Sequence, residues 1–118
     1  MTSLVSAVTS LVILWSSAPV NLRVESMSES SVLLSWDPPQ KGGCVLNYII
    51  ERRPMRSTGL VRKAWRRIVG DIHDTNYQLT GLTIGTSYLL RVAAVNEIGV
   101  GPFTELTNAV TTRLQYGT

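Results

Sequence analysis

The chain has 118 residues, 44% hydrophobic and 16% charged, with a formal net charge of +3. That length fits one domain able to bury a core without metal or disulfide help, and its apolar content excludes disorder throughout. The one cysteine, Cys44, excludes an internal disulfide, and no Asn-x-Ser/Thr acceptor occurs; both lean towards a reducing compartment, though an extracellular domain that needs no bridge fits as well.

Residues 1–18 carry no charged side chain. An apolar run from Leu11 to Trp15 ends in Ser16, Ser17 and Ala18. Three expectations follow: a poorly structured leader, a signal peptide cleaved after Ala18, or an extra packed segment. No Lys or Arg precedes the run, as a signal peptide would ask. It is also too short and too polar for a membrane span. The domain is expected to run from Pro19 over residues 19–113, with 114–118 as a frayed tail.

Residues 21–25 alternate, with Leu22 and Val24 on one side, as a short first strand. Residues 31–36 put Val32, Leu34 and Trp36 inward, and Pro38 and Pro39 end that strand because proline cannot continue a ladder. Residues 46–53 form a third strand with Tyr48 and Ile50 on the core side. Residues 61–69, holding Trp65 and Ile68, read as a fourth strand hairpinned to the third. Residues 76–80 form a fifth, Tyr77 and Leu79 inward. In the sixth, Tyr88, Leu90, Val92 and Ala94 share one face after turn chemistry at Gly81 and Gly85. Leu82 stands six residues before Tyr88, a spacing that lets the phenol reach back to the backbone as a tyrosine corner. Residues 97–102 form a Gly/Pro-rich turn, and 103–113 close the fold, with Val110 the best core candidate.

No helical periodicity and no internal repeat is visible. Seven short strands argue an all-β, immunoglobulin-like antiparallel sandwich without a disulfide. An odd number of strands places the termini at opposite poles. Trp36 and Tyr48, from different sheets, are expected to meet in the middle.

An enzyme reading fails on inventory. His73 is the only histidine, Cys44 has no histidine near it in sequence, and no Gly-rich loop precedes a helix. Neither cofactor nor metal is expected. The feature outside the core is charge: Arg52, Arg53, Arg56, Arg62, Lys63, Arg66 and Arg67 occur with no acid among them. One reading is a charged edge strand guarded against pairing with other chains. The other is an electropositive patch for an acidic partner, an acidic protein such as a helical rod first, with a polyanion or an anionic membrane as alternatives, carried by Arg53, Arg56, Arg62, Lys63, Arg66 and Arg67. Nucleic acid is not expected, since aromatic interleaving is limited to Trp65 and no recognition helix is available. Trp65 could instead lie under the arginine stems as a cation–π cover.

Taken together, Trp36, Tyr48, Leu82 with Tyr88, and Ala94-Val95-Asn96 leading to Gly99-Val100-Gly101-Pro102 resemble a fibronectin type III domain. More narrowly, Trp36-Asp37-Pro38-Pro39, Gly42-Gly43, Tyr48 to Arg53 and Trp65 to Ile68 resemble the modules of intracellular muscle giants of the titin, twitchin and myosin-binding protein C type. Lys41 stands where those usually carry Asp. The resemblance implies a non-catalytic module in a longer array, beside immunoglobulin-like or fibronectin type III neighbours, in a cytoplasmic filament. The alternative is a cell-surface or secreted adhesion or receptor module with residues 1–18 as signal. Neither Arg-Gly-Asp nor Trp-Ser-x-Trp-Ser occurs, so the integrin contact and the cytokine-receptor subgroup are not carried over.

Overall fold

The computed structural model describes residues 15–54 and 64–113. Eight strands follow in order: β1 Val20–Met27, β2 Val32–Asp37, β3 Asn47–Pro54, β4 Arg66–Ile72, β5 Asn76–Leu79, β6 Ser87–Val95, β7 Val100–Glu105 and β8 Val110–Thr111. One sheet has the order β1-β2-β5. The other runs β4-β3-β6-β7, with β8 pairing β6 beyond the end of β7. Every pairing is antiparallel.

The sheets face each other through side chains chosen by the two-residue period. From one side come Val32, Leu34, Trp36 and Leu79; from the other come Tyr48, Ile50, Leu90, Val92 and Ala94, all buried. The Trp36 and Tyr48 rings meet edge to face across the gap, centroids 5.4 Å apart. Burial pushes the Tyr48 phenol above its ordinary value of 10.0. Leu82 and Tyr88 are buried at the opposite end, where the Thr83 backbone amide donates to the Tyr88 hydroxyl at 3.1 Å. A buried phenol needs such a partner, and the turn before its own strand supplies it.

The closing run differs from the expectation. It is two strands, because residues 106–109 leave the ladder between β7 and β8; the Leu106 amide still donates to the Leu90 carbonyl at 2.9 Å. Val110 is buried as expected. The fourth strand begins at Arg66 and runs to Ile72, displaced by two register shifts against β3, and residues 61–63 of the expected strand lie outside the described residues. Tyr77 and Val24 share faces with core residues yet stay 36% exposed. Each sits on an edge strand, where the cover over the inner face runs out.

The two ends of the described residues lie at opposite ends of the sandwich. Ser17 bonds to Lys41 in the loop before β3, whereas Thr112 bonds to Gly85 in the turn before β6, and those two strands are antiparallel. Splitting the last strand in two leaves this polarity unchanged.

Candidate functional site

The basic stretch is divided by strand parity. Along β3, Arg52 follows Tyr48 and Ile50 on the inner side, while Glu51 and Arg53 face out. The Arg52 guanidinium lies 5.1 Å from the centre of the Tyr88 ring. Arg52 therefore closes the open end of the core. Burial acts to raise the Tyr88 pKa, but hydrogen bonding to Thr83, the Arg52 charge and a hydrogen bond to Thr86 outweigh it and leave the phenol below its ordinary value.

On the outer face, side chains from three strands stack with Trp65, the residue before β4. Arg53 lies 4.9 Å from the Trp65 ring centre, and Arg91 of β6 lies 4.2 Å from Trp65 and 3.9 Å from Phe103 of β7. Glu51 holds Arg91 in place: Arg91 Nε and Nη2 both donate to Glu51 Oε1, at 3.0 and 2.6 Å. Register explains the pair, since Glu51 and Arg91 stand opposite each other across β3 and β6. Their side chains are only 15% and 22% exposed, so this ion pair is worth more than the usual surface pair. The order Arg53, Trp65, Arg91, Phe103 alternates cation with ring. Such contacts contribute about 0.5–2 kcal/mol each, depending on how far they are desolvated.

What remains for a partner is β4, the outer strand of this sheet. Arg66 and Arg67 are exposed on it. Arg66 is opposite Arg52 and Arg67 is opposite Glu51. Like charges directly opposed on one face destabilise a sheet, by roughly 0.2–1 kcal/mol. Of the residues proposed for partner contact, Arg53 and Arg67 take the outer face, whereas Arg66, paired with Arg52, takes the other face of the β4 edge. Arg56, Arg62 and Lys63 lie outside the described residues.

The stack was only half visible beforehand. Trp65 could be paired with arginine stems from composition, but Arg91 and Phe103 enter only through the pairing of β3, β6 and β7. Their outward parity was the available signal.

Elsewhere the chemistry stays bland. His73 Nε2 lies 3.1 Å from Asp71 Oδ1, both exposed. Cys44 is an exposed free thiol. Among the described residues no group of three or more His, Cys, Asp or Glu could hold a metal. Nor is any helix among them long and apolar enough to cross a membrane, a statement that does not bear on β-barrels.

The Fibronectin type III domain family model matches residues 17–110. The chain belongs to this family. Family members serve in general as non-catalytic structural modules. Titin of Drosophila melanogaster is 33% identical over 88 residues, 72% of this chain and, to the nearest percent, 0% of that protein. Fast-type myosin-binding protein C of Gallus gallus is 38% identical over 85 residues, 70% of this chain and 7% of that protein. Receptor-type tyrosine-protein phosphatase F of Rattus norvegicus is 34% identical over 87 residues, 71% of this chain and 4% of that protein. Among solved structures, the twitchin kinase region from C. elegans matches with a TM-score of 0.75 at 27% identity, over 85% of this chain and 17% of that one. Titin domains A168–A170 match with a TM-score of 0.71 at 29% identity, over 84% of this chain and 32% of that one. The chain thus spans a small fraction of each curated relative, 11% at most among eight of them.

Proposed function

We propose that this chain is a non-catalytic spacing and binding module of a multidomain intracellular filament or scaffold protein, and that its β4 edge contacts an acidic protein. The observation that supports it is the division of the arginines. Arg52 and Arg91 are engaged by the protein itself, whereas Arg66 and Arg67 are exposed on the sheet's outer strand. Setting Arg66 opposite Arg52 spends stability that an uncharged residue would retain, which fits a binding role better than edge protection alone. The likeness to titin and to myosin-binding protein C favours the filament setting, with further immunoglobulin-like or fibronectin type III domains beside this one. Entry near Ser17 and exit near Thr112, at opposite poles, suit such stringing.

A surface or receptor module is the second reading, favoured by the likeness to receptor-type phosphatase F. Expression of the tagged full chain in a eukaryotic cell separates the two: retention in the cytoplasm supports the filament reading, and secretion refutes it. The edge itself is tested by NMR titration with a glutamate-rich helical peptide. Shifts concentrated on β4 and the outer end of β3 are expected. Shifts elsewhere, or none, would remove the binding claim.

A further inference from the structure

The residues just before β1 are built into the fold. Ser16 is 1% exposed. The Ser17 amide donates to the Lys41 carbonyl at 2.9 Å, and the Ser17 hydroxyl accepts from the Lys41 amide at 3.1 Å. Two glycines make room for this backbone. A Cβ on Gly42 would overlap the Ser16 Cα, and one on Gly101 would meet the Ser16 carbonyl oxygen at 2.6 Å. Gly42 also has φ +109°, so its conformation and its closeness to residue 16 both exclude a side chain. Gly101 carries no such backbone demand, and its missing side chain answers to Ser16 and to the Ala94 carbonyl at 3.4 Å. Asn96 reinforces the site by donating through Nδ2 to the Gly42 carbonyl at 3.3 Å. The Thr104 hydroxyl then donates to the Pro19 carbonyl, after which the chain crosses to pair with β2.

We infer that residues 15–18 are a clasp joining the two sheets at the pole where the chain enters, and that maturation by cleavage between Ala18 and Pro19 does not occur. Cutting there would release the backbone that fills the space beside Gly42 and Gly101. It would leave the Lys41 amide and carbonyl without their partner. The inference concerns the third of the expectations for this segment, the packed one, and it holds under either reading of the cellular setting. Any processing has to fall upstream of Trp15.

The test is a double-mutant cycle in the full chain. Gly101→Ala places a methyl against Ser16, and Ser17→Pro removes the donor that holds the strap to Lys41. Gly101→Ala alone is expected to lower the thermal midpoint by roughly 5–10 °C, the scale of an overpacked contact in a domain of this size. In the Ser17→Pro background most of that drop should vanish, because the obstructing carbonyl is free to move. Equal drops in both backgrounds, or none in either, overturn the inference. Hydrogen exchange on the unmodified chain is independent of whether the variants fold. The Ser17 amide should exchange at least ~100-fold slower than a free amide, whereas exchange at the free rate overturns the clasp. Recovery of a folded product starting at Pro19 from a secreting cell overturns the statement about cleavage.

Discussion

The two faces of the five-stranded sheet use the same strands for opposite purposes. On the inner face β3 and β6 present Tyr48, Ile50, Leu90, Val92 and Ala94, all buried and apolar apart from a phenol. On the outer face the same strands present Glu51, Arg53 and Arg91, tied together with Trp65 and Phe103. One residue of parity separates a core position from an arginine platform. The difference teaches that a charged run is not one feature. Its members divide among closing the core, building the outer face and meeting solvent.

Breaking the inner face should have the largest effect. Trp36→Ala removes the ring that meets Tyr48 and is expected to cost about 3–5 kcal/mol, most of a small domain's stability. A urea melt checks it, and an unchanged midpoint would refute the core placement. On the outer face, Arg91→Ala leaves a mostly buried Glu51 without its cation and separates Trp65 from Phe103. A loss of about 2–3 kcal/mol is expected from the same melt. Tyr88→Phe deletes the hydroxyl that accepts from the exposed Thr83 amide and bonds to Thr86, and the expected loss is about 1 kcal/mol.

A pH measurement sharpens the comparison. The Tyr48 pKa is raised by folding, so the folded state favours its protonated form. That contribution is fully present below the ordinary value of 10.0 and is lost as pH rises through the raised folded value. Tyr88 moves the other way, its folded pKa lowered, and contributes stability above the ordinary range. Tyr48→Phe should therefore flatten the alkaline fall in stability, read as thermal midpoint against pH, while Tyr88→Phe should steepen it. The smallest stability effect belongs to the partner-facing edge: Arg66→Ser with Arg67→Ser should stay within ~0.5 kcal/mol of the parent.

Much of the fold was legible because its signals are local. Alternation marked the inner faces of β2, β3 and β6, and the spacing of Leu82 and Tyr88 marked the corner. Trp65 and Tyr77 were harder, for a reason of register and edges. Two register shifts between β3 and β4 decide where Trp65 lies, and alternation carries no information about them. Period two assigns Tyr77 a face, but not whether a neighbouring strand covers it. The packed state of Ser16 could not be preferred beforehand, since small polar residues bury themselves without leaving a pattern. Its trace was in Gly42 and Gly101, each of which has other ordinary explanations.

The measurement that bears most directly on the inner-core, outer-contact division is binding of a glutamate-rich helical peptide across a salt series, to the parent and to the Arg66→Ser, Arg67→Ser variant. The account predicts parent binding that weakens as salt rises, a variant that binds several-fold more weakly, and melting curves that superimpose. Equal binding by the two proteins, or binding indifferent to salt, would contradict it.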